Sequence, residues 1–208
     1  MLKKNVVITI DRLYGSGGRI MGQRLSEELG IPYYNEEILK MASEESAVGE
    51  QLFRLNDEKA GNNLFFRAIG GLKSSLDEPS LDDDIPSPEN LFRFQSSVIR
   101  KLAASENCII VGRCADYILE DIPNHLNVYV YAPDEARLKN CVENLQMDPQ
   151  TAKKMMRDVD AARNRYHKAY IPGWQSVFDH KDLMIDSSRF GIDGTAKILA
   201  DIVKNQWG

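Results

Sequence analysis

The stretch from residue 6 to residue 30 constrains this chain more than any other. Val6–Ile10 (VVITI) is an unbroken, mostly β-branched run, the mark of a strand buried on both faces of a parallel sheet. A glycine-rich segment, Asp11 to Arg19 (DRLYGSGGR), follows directly. From Arg19 onward apolar residues recur at helical spacing, Ile20, Met21, Leu25 and Leu29, until Gly30 ends the helix as a C-cap. Ile31–Tyr34 then reads as a short second strand. A strand, a glycine turn, a helix and a second strand in that order open a parallel α/β sheet.

The alternation continues along the chain. Asn35 suits the cap of a helix over Glu36–Ser46, with Glu36 and Glu37 in its first turn. Mostly polar helical sequence runs on to about Leu72. Gly71–Pro88, rich in Ser, Asp, Pro and Gly, is expected to be a flexible loop, not a domain boundary. Pro88 and Glu89 open a helix reaching about Ala104. Cys108–Val111 (CIIV) and Leu126–Tyr131 (LNVYVY) are buried strands, and a helix spans Glu135–Asn144. Asp148 and Pro149 cap a long helix to about His167, Asp182–Ile185 (DLMI) is a last strand, and Ile192–Lys204 is a closing amphipathic helix. Strands alternating with helices predict one parallel sheet covered on both faces.

With 208 residues, 43% of them hydrophobic and 27% charged, the chain has the size and balance of one globular domain. It is long enough to bury a core without disulfide or metal staples. The net charge of −5 and a pI near 5.3 argue against a general nucleic-acid binder, which needs basic residues to neutralise phosphates. A few arginines can still focus a positive field on a small anionic ligand. The three cysteines, Cys108, Cys114 and Cys141, form no CxxC pair and suit a reducing cytosol. The apolar run near the N-terminus is too short for a signal peptide, and no stretch approaches membrane-spanning length. A cytoplasmic protein with no membrane partner is expected.

Three segments are candidates for chemistry. The first is the turn from Asp11 to Arg19, where successive glycines let backbone N–H groups converge on an anion beside a helix N-terminus. Measured against GxxxxGK[ST], Gly17 fits, but Arg12 stands at the first glycine, Gly18 at the lysine and Arg19 at the Ser/Thr. A glycine-rich turn that binds nothing is the bland alternative, and a dinucleotide fingerprint fails at Ile20. The second is Val111-Gly112-Arg113, at the end of a strand, where a glycine can present Arg113 to a phosphate for bidentate pairing. The third is RDVDAARNRYHKAY, Arg157 to Tyr170. There Arg157, Asp160, Asn164 and His167 fall on one helical stripe with Arg163 at its edge. Arginines interspersed with aspartates suit a phosphate-clamping lid, and they equally suit a solvated helix. His167 alone is given no catalytic role, and His125 and His180 read as loop residues.

Taken together and in this order, the segments resemble the cytidylate kinase-like family. The matching stretches are ITIDRLYGSGGRIMGQRLSEELGIPYYNEEIL, CIIVGRCADYILED, VYVYAPDEARL, RDVDAARNRYHKAY and LMIDSSRFGIDGTAKIL. They cover most of the chain outside the Gly71–Pro88 loop. The resemblance implies an α/β P-loop kinase: a three-layer core with a parallel sheet (about 1–34 and 89–208), a helical insert for a nucleoside monophosphate (about 35–88) and a helical lid (about 148–172). It implies ATP and Mg²⁺ as cofactors, small nucleotides as partners, and transfer of the ATP γ-phosphoryl group to CMP or dCMP. By position, Gly15, Ser16, Gly17, Gly18 and Arg19 would line the donor phosphates. Arg113, Asp160 and Arg163 would hold the acceptor, and Arg157 and Arg163 would act from the lid.

The departures open two readings. Lysine is missing at position 18 and a hydroxyl at position 19. Arg19 could replace the cation, and Asp11 could hold Mg²⁺ through water. Losing one preorganised electrostatic group typically costs about 10²–10³ in rate, so a substituted cation leaves a slower, working kinase. Losing both groups without replacement leaves a catalytically weak nucleotide-binding or sensing protein on the same scaffold.

Overall fold

The computed structural model describes residues 2–3, 5–46 and 87–208. Among these, five strands form one sheet: β1 (Val7–Arg12), β2 (Tyr33–Tyr34), β3 (Cys108–Val111), β4 (His125–Tyr131) and β5 (Leu183–Asp186). The helices are α1 (Gly18–Leu29), α2 (Glu37–Ser46), α3 (Pro88–Ser105), α4 (Ala115–Ile118), α5 (Asp134–Glu143), α6 (Pro149–Tyr170) and α7 (Ser187–Trp207). The strand order is β2-β3-β1-β4-β5, and every pairing is parallel. In register, Val7 stands beside Cys108 on one side and His125 on the other.

The unbroken apolar runs follow from burial on both faces. Ile8 and Ile10 of β1, with Val128 and Val130 of β4, meet Met21 and Leu25 of α1 and Leu199 and Val203 of α7. Val7, Cys108 and Ile110 point the other way, toward Phe92 and Ile99 of α3 and Tyr166 and Tyr170 of α6. In that second layer Phe92 stacks on Tyr170 with ring centroids 4.1 Å apart and planes 4° from parallel. Full burial of an Ile or Phe side chain contributes roughly 1.5–3 kcal/mol. A one-residue slip would exchange the two layers, so the register is firmly set. A smaller cluster of Cys141, Ala152 and Met156 joins α5 to the start of α6.

Caps fall where the side chains allow. Ser87 accepts the Asn90 N–H ahead of Pro88, and Asp148 accepts from Gln150 and Thr151 ahead of Pro149. Several boundaries differ from the sequence reading. β1 runs two residues past its apolar run, because Asp11 and Arg12 pair with Tyr129 and Val130 through the backbone, whatever their side chains. The lid-type helix continues to Tyr170 because Tyr166 and Tyr170 are core residues. A short helical stretch from Ser187, capped by Asp186, precedes the closing helix; Gly191 (φ 69°, ψ 172°) is non-helical and separates the two, so the expected helix from Ile192 follows that break. His125, read as a loop residue, opens β4 and sets Nδ1 2.9 Å from the Leu119 carbonyl.

Of the insert expected at about 35–88, only its ends, α2 and the residues at Ser87 and Pro88, are described; most of it, including nearly all of the 71–88 loop, lies outside the described residues. None of the three cysteines forms a disulfide, and all three are buried. Among the described residues no helix is long and apolar enough to cross a membrane.

The topology places the site. From β1 the chain crosses over β3 to β2, and later it passes from β3 across β1 to β4. The crevice beyond the carboxyl ends of β1, β3 and β4 is therefore the switch point where ligands bind in such sheets.

Candidate active site

The glycine turn leaves β1 directly into this crevice. Gly15 (φ 79°) and Gly17 (φ 78°) both adopt the left-handed conformation that glycine permits without a Cβ penalty. Space forbids anything larger: a Cβ on Gly15 would lie 2.9 Å from Cys141 Sγ, and one on Gly17 2.8 Å from Ile192. The turn's carbonyls are tied outward. Asn140 Nδ2 donates to the Gly15 oxygen at 2.8 Å, and the Ser187 hydroxyl donates to the Ser16 oxygen at 2.6 Å. Gly17 is the N-cap of α1 but has no side chain to cap it, and the first turn of α1 contains no acid. The first N–H groups of a helix lack intrahelical partners, and the helix dipole adds partial positive charge there. Local geometry at Gly15–Arg19 is therefore that of an anion cradle.

The turn after β3 is built just as tightly. Gly112 (φ 74°), Arg113 (φ 62°) and Cys114 (φ 56°) are three consecutive left-handed residues, the last two without glycine's freedom. This turn throws the Arg113 side chain back over the crevice, where Nε donates to the Asn35 carbonyl at 3.0 Å. From α6, Arg163 reaches the same place and donates from Nη1 to the Arg12 carbonyl at 2.8 Å. Arg12, Arg113, Arg163 and Asn35 line both of two adjoining cavities. One, of about 590 Å³, contains the glycine turn; the other, of about 300 Å³, lies against Gly112 and α6.

Arg12 was absent from the sequence candidates. Its guanidinium occupies the space a Cβ on Gly112 would need, since such an atom would run into Nη1. Burial pushes the Arg12 pKa down to about 9; the like charge of Arg163 adds to this, Asp11 opposes it and Arg113 adds again. The only signal in the sequence was its position, at the first glycine of the phosphate-loop template.

The other candidates separate. The Asp160 carboxylate accepts the Tyr14 N–H at 2.7 Å and pairs with Arg137 at 2.5 Å, with Arg163 3.8 Å away. It fastens α6 to the glycine turn and to α5. The Arg19 side chain is 62% exposed and drawn to Glu36 at 3.7 Å. Arg157 is not brought to the crevice: it is 74% exposed, pairs with Asp158 at 3.2 Å and lines a separate cavity beside Asp134 and Lys153.

Asp11 meets His167, which the sequence reading set aside. Asp11 Oδ1 accepts the Arg12 N–H at 2.8 Å, and Oδ2 lies 3.2 Å from His167 Nε2, with both side chains about nine-tenths buried. The other imidazole nitrogen, Nδ1, sits 2.9 Å from the Arg163 carbonyl. The ring thus has a carboxylate at ion-pair distance from one nitrogen and a carbonyl oxygen beside the other. Burial by itself lowers the His167 pKa, but the charge and hydrogen bond of Asp11, with Asp116 beyond, raise it above its ordinary value. Burial likewise works to raise the Asp11 pKa, and His167, with Lys181 and Arg12, holds it far below the usual carboxylate range.

Residues 7–189 match the family model described as the cytidylate kinase-like family. The chain belongs to that family. A cytidylate kinase from Methanopyrus kandleri is 24% identical over 208 residues, spanning 96% of this chain and 93% of that protein. An uncharacterized protein from Eubacterium ventriosum ATCC 27560 superposes with a TM-score of 0.67 at 23% identity, covering 96% of this chain and 98% of that one. A shikimate kinase from Bacteroides thetaiotaomicron superposes with a TM-score of 0.53 at 12% identity, again over 96% and 98% of the two chains. The fold of this cytidylate kinase-like chain is thus the α/β P-loop kinase fold.

P-loop phosphotransfer ordinarily engages Mg²⁺ through a loop hydroxyl and an acid. The residues present do not fit that arrangement. Arg19 stands at the hydroxyl position, the Ser16 hydroxyl donates to the Leu13 carbonyl at 2.8 Å, and both Asp11 oxygens are engaged. Among the described residues no three His, Cys, Asp or Glu side chains gather as a metal site. This cytidylate kinase-like crevice is furnished with arginines instead.

Proposed function

We propose that this protein is a nucleoside monophosphate kinase that moves the γ-phosphoryl group of ATP onto CMP or dCMP. One observation carries the reading: Arg113, from the turn after β3, and Arg163, from α6, face the same crevice as the uncapped N-terminus of α1 and its glycine turn. Membership of the cytidylate kinase-like family and the likeness to the Methanopyrus kandleri cytidylate kinase support the choice of acceptor.

In this reading the N–H groups of Gly15–Arg19 hold the donor phosphates, and Arg113 and Arg163 fork onto the acceptor phosphate. An acceptor phosphate oxygen attacks the γ-phosphorus of ATP. The new P–O bond forms as the bond to the β–γ bridging oxygen breaks, and that electron pair leaves on ADP. A dianionic acceptor carries no proton to remove, so no general base is required. Positioning and charge neutralisation carry such a transfer. Asp160 is a positioning residue that holds the turn and Arg137, and Arg157 takes part only if the start of α6 moves as a lid. The acidic net charge and cysteines that form no disulfide support a cytoplasmic enzyme of small nucleotides.

A coupled ADP-release assay with ATP, Mg²⁺ and a panel of CMP, dCMP, UMP, AMP and GMP tests this. CMP or dCMP is expected to stimulate release well above the rate with ATP alone. Thermal stabilisation by nucleotides with no acceptor-dependent release would replace the kinase reading with a nucleotide-binding one, which Gly18 and Arg19 at the lysine and hydroxyl positions would then explain.

A further inference from the structure

We propose that Arg12 is the phosphate-binding cation of this crevice, standing at the junction of the donor and acceptor cavities and doing the work of the lysine that position 18 lacks. The inference rests on the phosphotransferase reading for its catalytic consequence, while its binding consequence stands alone.

Position comes first. Arg12 is the last residue of β1, and its carbonyl is held by Arg163, so its main chain is fixed in the sheet. Its side chain borders the cavity of the glycine turn and the cavity of Arg113 alike. A group passing from one phosphate to another must cross that junction. A cation there touches the phosphoryl group throughout the transfer, which is the placement that stabilises charge in the transition state.

The second point is electrostatic. Among the described residues, the Arg12 guanidinium makes no hydrogen bond and no ion pair. Arg19, Arg137 and Arg157 each have a carboxylate within ion-pair distance. A guanidinium carries five donors in a fixed fork and stays charged at neutral pH. Leaving all five unused in a largely buried place, beside the like charges of Arg163 and Arg113, is unfavourable unless a ligand supplies the anion. The depressed pKa of Arg12 expresses the same imbalance.

The third point is that space is kept for it. Gly112 is the residue whose missing Cβ admits Nη1, and a left-handed glycine at the end of β3 is what brings the two turns this close. Arg19, one turn onward, has no comparable niche; it is mostly exposed and leans on Glu36.

Three proteins, the wild type, Arg12→Gln and Arg12→Lys, are compared by thermal unfolding, calorimetric titration with inorganic pyrophosphate, and steady-state kinetics with ATP and CMP. Arg12→Gln is expected to bind pyrophosphate at least ten-fold more weakly and to lose about 100-fold in kcat, with a smaller change in the KM for CMP. Arg12→Lys should recover part of both. Because no side chain or carbonyl among the described residues pairs with the guanidinium, Arg12→Gln should melt no lower than wild type, whereas a merely structural arginine would lower the melting temperature. Pyrophosphate affinity within two-fold of wild type in Arg12→Gln overturns the proposal. If the wild type turns over no acceptor and Arg12→Gln still loses pyrophosphate, the kinase reading falls and the anion site stands.

Discussion

The Asp160 carboxylate accepts the backbone N–H of Tyr14 at 2.7 Å, so a side chain of the long helix closes directly on the main chain of the glycine turn. The same carboxylate pairs with the buried Arg137, which also holds Asp134 at 3.1 Å. Turn, α5 and α6 are thereby fixed to one another by a single acid. Removing one partner of a buried pair typically costs about 3–5 kcal/mol, which in a chain of this size lowers the melting temperature by roughly 2–4 °C per kcal/mol. Asp160→Ala is expected to melt about 10 °C lower and to bind nucleotide at least ten-fold more weakly. A melting temperature within 2 °C of wild type would show that the clamp holds little.

The buried pair of Asp11 and His167 predicts a pH dependence. His167 is raised above its ordinary value near 6.5, so its contribution is complete below that value and is lost as pH rises through the raised one. Asp11 is lowered from about 3.8, so its contribution is present above that value and is lost only as pH falls through the lowered one. The pair therefore stabilises most between about pH 4 and 6.5. Thermal melts of wild type and His167→Gln should differ most near pH 6 and converge toward pH 9. A difference that grows with pH contradicts the pairing.

Gly112 links the backbone of β3 to the side chain of Arg12. Substituting Ala at a left-handed glycine costs on the order of 1–2 kcal/mol, and the new methyl group would displace Arg12 Nη1. Gly112→Ala should fold with a melting temperature only a few degrees lower, yet bind pyrophosphate at least ten-fold more weakly. Unchanged affinity would mean that the guanidinium is not seated over this glycine when anions bind.

Arg19 and Arg113 should behave differently. The Arg19 side chain is exposed at the rim and, among the described residues, is paired with the also exposed Glu36, an arrangement worth little in water. Arg19→Ala is expected to keep the rate of ADP release within about three-fold. Arg113→Ala, which removes a preorganised cation from the crevice, should lose about 10²–10³. Equal losses in the two variants would return Arg19 to the centre of the chemistry.

These contrasts show what a linear sequence discloses. CIIV and the Gly30 stop were legible because a two-sided strand and a helix cap leave local signatures, and Cys108–Val111 forms the expected strand with the expected ends. The place of the turn at Gly15–Gly17 and of Arg113 beside one crevice was legible for the same reason: each follows a recognisable strand. Asp160 was visible as a polar stripe on a helix, but periodicity does not say whether a stripe meets solvent or a loop 146 residues away. Arg12 was hidden by the template itself, which records only a missing glycine at that position. His167 looked like one more polar residue of an exposed helix until β1, extended by backbone pairing, brought Asp11 beneath it.

The most direct measurement is phosphoryl transfer itself, followed with ATP labelled at the γ-phosphorus and mixed with CMP, the products being resolved by thin-layer chromatography. The account predicts label in cytidine diphosphate, appearing at least 100-fold more slowly with Arg113→Ala. Label found only in inorganic phosphate, or remaining in ATP whatever monophosphate is supplied, would contradict it.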